Sequence, residues 1–334
     1  LAVYIIFTVG SLAFILLACF VFTNAIEWFG EKLHVGQGIV GSVFSAIGTA
    51  LPETVIPLIA IFLFHDQGAK DIGVGAIAGA PFMLGTLALF VTGTAVIIYS
   101  IIGKRTVTMN VDIKVISMDL TFFLIIYTIA VLTTFIHNII AIKNIIAVLL
   151  LLSYIIYIRL AFSNDSEKSE KSENLDRLII SKIFRVKTNL FWICVQLIIS
   201  LAAIIFGAQV FVENVRDLSD ALGVAPLILS IIITPIATEL PEKFNSVIWT
   251  GKKKDTLALG NITGAMVFQS CFPVVIGILF TPWDLRGITM ISAIIAIASA
   301  VINLAWIKIK KSVNPFFLLF GGVLYAGYLV YIFR

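Results

Sequence analysis

Apolar residues occur along this chain in long unbroken runs. Residues 72–103, 256–283 and 312–333 contain no charged side chain at all. About 20 apolar residues wound as a helix cross the hydrocarbon core of a bilayer, so each run predicts a membrane span. The pattern predicts ten helices, over 2–26, 35–64, 71–101, 116–136, 139–161, 189–213, 224–250, 255–282, 287–308 and 314–333. Residues 2–26 are too long and too evenly apolar for the core of a signal peptide and read as a span. One clearly polar linker interrupts the series, SNDSEKSEKSENLDR at 163–177, and its mixed Ser, Glu and Lys content predicts a solvated loop. The expected fold class is an all-α polytopic membrane protein.

Composition agrees and narrows the function. The 334 residues are 60% hydrophobic and 13% charged, with a mean hydropathy of +1.08. Soluble domains are about one quarter charged, so an ordinary soluble enzyme is excluded. The net charge of +4 reads as basic cytoplasmic loops, and no nucleic-acid partner is expected. Loops on one side hold Lys32; Lys104, Arg105 and Lys114; seven basic residues from Arg159 to Lys187; Lys252, Lys253 and Lys254; and Lys308, Lys310 and Lys311. The other side holds only Lys70, Lys143, Arg216, Arg286 and Arg334, with Lys243 inside a span. The positive-inside bias places the 163–187 loop in the cytoplasm and both termini outside a plasma membrane. Cys19, Cys194 and Cys271 lie in apolar runs without CxxC spacing and read as packing thiols.

The linker splits the helices five and five. An odd number per half inserts the second half upside down relative to the first, the arrangement common in secondary transporters. Local similarity supports a duplication. Residues 35–53, VGQGIVGSVFSAIGTALPE, align without gaps to 224–242, VAPLILSIIITPIATELPE, and both end in T-x-L-P-E. In the third helix of each half GAIAGA (75–80) matches GNITGA (260–265). The expected organisation is a first five-helix repeat over 1–162, a cytoplasmic linker over 163–188, and an inverted five-helix repeat over 189–334.

The duplicated motif carries chemistry. Pro52 cannot donate to the carbonyl of Gly48, nor Pro241 to that of Ala237, so each frees a backbone oxygen and kinks its helix. Such backbone at membrane depth is tolerated where it is buried in protein or lines a polar cavity. Thr49–Glu53 and Thr238–Glu242 are i,i+4 pairs on one helix face, and Ser45 and Thr234 extend each stripe by a turn. A carboxylate at a helix centre costs about 2.5–3.5 kcal/mol on insertion scales, yet Glu53, Glu239 and Glu242 all lie there. Hard cations such as Ca2+ take 6–8 oxygens from carboxylates, carbonyls and hydroxyls, which this set supplies. His and Cys are absent nearby, which argues against Zn2+ or Cu+.

At these residues the chain resembles the calcium/cation antiporter superfamily, specifically prokaryotic sodium/calcium exchanger-like proteins. GTALPE (48–53) and ATELPE (237–242) look like that family's paired GTSLPE signatures, and GAIAGA and GNITGA sit where it carries GN-x-x-GS segments. The resemblance implies that Glu53 and Glu242 are the central Ca2+ ligands. It implies that Thr49 and Thr238 add oxygens and that Asn261 sits beside the site. It also implies a transporter with no resident cofactor, whose transported ions are Ca2+ with Na+ and/or H+. The chain departs from the pattern at Ala50 and Glu239, which occupy the Ser positions of the signatures. Ala76 stands for Asn or Asp, and Ala80–Pro81 for Ser-Asn. Those small polar positions help bind Na+ in the family, so their loss puts Na+ coupling in doubt and leaves H+ as the alternative.

Glu239 has two readings, a titratable coupling group beside the site or an i,i+4 salt bridge to Lys243. Lys243 itself can be read as a fixed cation in a vacated Na+ site. His34, His65 and His137 fall near helix ends and read as interfacial. The five tryptophans read mainly as interface anchors. An intramembrane enzyme lacks its motifs here, since there is no HExxH and no mid-span His. A passive channel with the same ligands is the other alternative. The expected partners are inorganic cations and the lipid bilayer, with a monomeric functional unit.

Overall fold

A computed structural model describes residues 2–32, 51–64, 67–136, 139–165 and 177–334. Thr49, Ala50, Ser45 and the three histidines lie outside the described residues. So do residues 166–176, most of the polar linker.

The described chain is helical. In order, the helices are α1 (Ala2–Lys32), α2 (Leu51–Phe62), α3 (Gln67–Ile101), α4 (Ile113–Leu132), α5 (Ile140–Asp165), the short α6 (Ile179–Phe184), α7 (Leu190–Leu222), α8 (Pro226–Thr238), α9 (Leu240–Gly251), α10 (Asp255–Phe280), α11 (Ile288–Lys310) and α12 (Pro315–Ile332). Among the described residues eight helices are long and apolar enough to cross a membrane. Pro52–Phe62 and Pro226–Ile236 are shorter apolar helices.

The span expected over 224–250 is not one helix. It breaks between α8 and α9 at Glu239, where φ is −88° and ψ is 10°. Pro241 supplies the cause, since it cannot continue the hydrogen-bond ladder to Ala237. Other helices outrun their apolar segments. α7 continues from the expected end at 213 through Glu213, Arg216, Asp217 and Asp220. It stops only where Gly223 takes φ 64° and its N–H bonds back to Asp220 O. A helix satisfies its own backbone, so leaving the hydrocarbon does not end it. Side-chain caps set some of the starts. Asp112 accepts from Lys114 N at 2.9 Å at the head of α4, and Asn189 accepts from Trp192 N at 3.0 Å at the head of α7.

Packing is reciprocal between the halves. α1 lies along α7; α3 packs on α8 and α11, while α10 packs on α2 and α4. One large apolar core, including Phe82, Phe123, Tyr127, Met266 and Val274, holds α3, α4, α10 and α11 together. A second, with Ile15, Ile56, Phe211 and Val215, joins α1, α2 and α7. Large apolar side chains such as Ile6, Leu17, Phe20 and Ile198 stay exposed, as a lipid-facing surface requires. Trp283 is an exception to the interfacial reading. It is buried at 1% exposure, and its indole N–H donates to Ala130 O at 2.9 Å. It reads as interfacial only from its place at a span end.

Two local features shape the middle and the far end of α3. The helix contains a π-turn at Leu84–Ala88. Beyond its end, Arg105 is folded inward and buried against Asp255 at the head of α10, with Nη1–Oδ1 at 2.6 Å. This ion pair joins residues 150 positions apart in the chain.

Candidate functional site

Along α8 and α9 a polar residue recurs every fourth position, as Ser230, Thr234, Thr238, Glu242, Ser246 and Thr250. Residues four apart share a helix face, and all six are no more than 2% exposed. Most of the hydroxyls bond to backbone carbonyls or to one another. Thr238 Oγ1 donates to Thr234 O at 3.0 Å, Ser230 and Thr234 hydroxyls lie 3.3 Å apart, and Ser246 Oγ donates to Ala258 O at 2.8 Å. The sequence reading reached Thr234, Thr238 and Glu242; the same spacing extended back to Ser230 and on to Ser246 and Thr250 would have found the rest. Thr238 therefore lies on the stripe with its proton directed into its own helix and its lone pairs left to accept or coordinate.

Glu242 stands in the first turn of α9, where the partial positive charge of a helix start favours a carboxylate. Asn261 on α10 reaches across to this turn, its amide donating to Glu242 O at 3.0 Å and approaching Ser246 Oγ at 3.5 Å. The break in the 224–250 span is thus braced from the neighbouring helix by the expected site residue Asn261.

Glu53 comes from the opposite half. It is 4% exposed on α2, and neither carboxylate oxygen has a hydrogen-bond partner among the described residues. Pro57 follows one turn later in the same helix and has no N–H to offer Glu53's own carbonyl, a signal the motif reading passed over. Glu53 lies within electrostatic range of Glu242, Glu239 and Lys243. Cys19 of α1 is near enough to Glu53 and Glu242 to feel both charges, a neighbour that spacing along the sequence could not reveal. Thr49, the remaining expected ligand, lies outside the described residues.

Of the two readings of Glu239, the geometry contains the ion pair. Lys243 Nζ donates to Glu239 Oε2 at 2.9 Å and to Pro235 O at 3.3 Å, with side-chain exposures of 8% and 0% for Lys243 and Glu239. Glu239 Oε1 has no hydrogen-bond partner among the described residues. The cluster therefore gathers three carboxylates and one ammonium in a buried volume.

The matched segment of the first half serves a different end. Gly75 and Gly79 of GAIAGA face α8, where a Cβ at 79 would lie 2.5 Å from Ile231 O and 2.8 Å from Pro235 Cγ. Small residues four apart let membrane helices approach closely, and Pro235 cannot donate to that Ile231 carbonyl. The equivalent glycines of GNITGA are looser, with nothing nearer than Ile116 Cδ1 at 4.0 Å from a Cβ at 260 and Tyr157 OH at 3.5 Å from one at 264. Between those glycines, Thr263 donates to Asp119 Oδ2 at 2.6 Å, and Tyr157 donates to Asp119 Oδ1 at 3.0 Å. Asp119, which nothing in the sequence paired, is held by two hydroxyls from α5 and α10.

Comparison with known proteins fits this geometry. The pattern defining the sodium/calcium exchanger protein family matches residues 3–163 and 192–334. The chain is 26% identical over 278 residues to the uncharacterized membrane protein MJ0091 of Methanocaldococcus jannaschii, covering 83% of this chain and 82% of that protein. It is 23% identical over 250 residues to the inner membrane protein YrbG of Escherichia coli, covering 74% and 70%. The fold is similar to the crystal structure of the H+/Ca2+ exchanger CAX, with a TM-score of 0.73 at 14% identity over 99% of this chain and 82% of that one. It is also similar to the sodium-calcium exchanger NCX_Mj, with a TM-score of 0.59 at 19% identity over 98% of each chain. This multi-span chain, helical through its described residues, belongs to the sodium/calcium exchanger protein family, and it is a membrane transporter rather than an enzyme.

Proposed function

We propose that this protein is a secondary antiporter that exchanges Ca2+ for Na+ and/or H+ by alternating access. The observation that carries this reading is Glu53, a buried carboxylate whose two oxygens have no hydrogen-bond partner among the described residues, within electrostatic range of Glu242 from the other half. Two like charges held together at membrane depth are favourable only when a cation or protons neutralise them. Glu53 and Glu242 are the central ligands in this reading, and Thr49, Thr238 and Asn261 supply or support further oxygens. Carbonyls and hydroxyls complete the shell of a hard cation in this reading. Glu239 and Lys243 form the coupling pair. Loss of Lys243 from Glu239 would expose a carboxyl able to take a proton at the same depth.

The arrangement in this reading is ten spans as two inverted five-helix repeats. The reciprocal packing of α3 on α8 and α11 and of α10 on α2 and α4 supports it. Orientation follows from the basic loops, with the 163–187 linker cytoplasmic, both termini outside the plasma membrane, and one chain as the functional unit. The structural relatives include both an H+/Ca2+ exchanger and a sodium-calcium exchanger, so both ions enter the test. Purified protein in proteoliposomes is given Na+ and pH gradients independently, and 45Ca2+ uptake is followed. Uptake driven by either gradient supports antiport. Equal uptake with neither gradient, set only by the Ca2+ gradient, sinks it in favour of a channel.

A further inference from the structure

Away from the carboxylate cluster, a groove of about 320 Å³ runs along the outer side of α3 and is closed on one flank by α9. Its lining is Phe90, Val91, Thr94, Ala95, Ile98 and Tyr99 with Val247. From Phe90 to Tyr99 the groove follows the helix for roughly 14 Å, close to half the hydrocarbon thickness of a bilayer. One end is marked by aromatic and basic groups. Lys104 Nζ lies over the Tyr99 ring at 5.8 Å from its centre. Gly251 presses against the same ring, so that a Cβ there would lie 2.8 Å from Tyr99 Cζ. Lys252, Lys253 and Lys254 follow directly on the turn out of α9, with Lys253 in the left-handed region at φ 60°. All four lysines are exposed. The acid next in sequence, Asp255, is taken by Arg105.

We propose that this groove is a binding site for an anionic phospholipid, with one acyl chain along Phe90–Tyr99 and Val247 and the headgroup phosphate among Lys104, Lys252 and Lys253. The apolar trough accounts for the chain, and Tyr99 marks interfacial depth, where aromatic rings collect. The basic rim selects the headgroup, as clustered lysines beside spans select anionic lipids. Val247 and Glu242 share α9, so an occupied groove would hold α9 against α3 while leaving the carboxylates untouched. The proposal rests on membrane placement alone and is independent of the ion exchanged.

Native mass spectrometry of the full chain in detergent tests it, with phosphatidylglycerol and phosphatidylcholine of identical acyl chains as probes. Each lysine at a membrane surface is worth about fivefold in affinity. Wild type should therefore prefer phosphatidylglycerol by on the order of a hundredfold at low salt, a preference that shrinks as ionic strength rises. Lys104→Gln/Lys252→Gln/Lys253→Gln should bind the two lipids within about threefold of each other. Val91→Trp, which fills the trough, should lose at least about tenfold for both lipids, and Val247→Phe gives the same readout should Val91→Trp elute as an aggregate. Glycerol phosphate, a headgroup without chains, should not compete. Equal binding of both lipids by wild type, retained preference in the lysine variant, retained affinity in the filled groove, or competition by glycerol phosphate would each overturn the assignment.

Discussion

Replacing Arg105 with Ala removes a cation that makes five hydrogen bonds. Two go to Asp255, at 2.6 and 2.8 Å, and three to the carbonyls of Thr250 (2.8 Å), Thr108 (2.9 Å) and Thr106 (3.0 Å). Both partners are 2% exposed. After the change Asp255 keeps one donor, Asn110 N at 2.8 Å, and a buried negative charge with no cation. Breaking such a pair from one side costs about 3–5 kcal/mol, mostly the penalty of the stranded partner. Arg105→Ala/Asp255→Asn relieves that penalty, so the double variant should be less destabilised than the two singles added together, by about 1–3 kcal/mol. Arg286 is the internal control. It meets Asp284 at 2.7 Å, but with side-chain exposures of 73% and 38%, and a surface pair of that kind is worth about 0–1 kcal/mol. The assay is reversible unfolding in mixed micelles, followed by helical circular dichroism. Arg105→Ala lying within about 1 kcal/mol of Arg286→Ala would refute the reasoning, as would strict additivity in the cycle.

Glu53→Gln should abolish 45Ca2+ uptake while leaving the unfolding midpoint unchanged or higher, because a carboxylate without hydrogen-bond partners contributes desolvation cost and no bond; wild-type flux in this variant would remove Glu53 from the site. Lys243→Met should destabilise by about 3–5 kcal/mol and Glu239→Gln/Lys243→Met by clearly less, measured by the same unfolding; equal losses would show that the pair is not the structural unit. Gly79→Ala drives a methyl into Ile231 O and should cost about 1–3 kcal/mol, whereas Gly264→Ala, with Tyr157 OH at 3.5 Å from the new carbon, should cost under about 1 kcal/mol. A cysteine placed by Ser169→Cys should resist membrane-impermeant maleimide in intact cells and react after lysis; labelling from outside would invert the orientation.

What the sequence made legible was whatever is local. Apolar runs located the spans because a helix in lipid must be apolar over its full crossing. Pro241 announced a kink near Ala237 and Thr238, though not the full break at Glu239, because a missing N–H acts within one turn. The Glu239–Lys243 pair was visible as an i,i+4 spacing. Contacts between distant segments were not legible. Arg105 reads as one more basic loop residue and lies buried against an acid 150 positions away. Asp119 gains its two hydroxyl partners only when α5 and α10 are brought beside α4. Gly75 and Gly79 matched a family segment by position, while their tight approach to Ile231 and Pro235 depends on where α8 lies. Helix ends shifted for a related reason. Hydropathy marks the edge of the hydrocarbon near residue 213, but the stop in α7 comes from Gly223, well beyond it.

The π-turn at Leu84–Ala88 limits how α3 can change over evolutionary time. A π-turn accommodates one extra residue, and one residue is about 100° of rotation in an α-helix. The half of α3 before the turn is oriented by Gly75 and Gly79 on α8, and the half after it by Gly93 against Pro315 and Leu318. Deleting a single residue between Leu84 and Ala88 would leave each half with its own sequence intact and swing one against the other by about 100°. Phe90 to Tyr99 would then turn away from Val247, and Gly93 away from α12. Residue count at this turn is therefore a constraint in its own right, added to the packing of its buried residues Leu84, Gly85, Thr86 and Ala88.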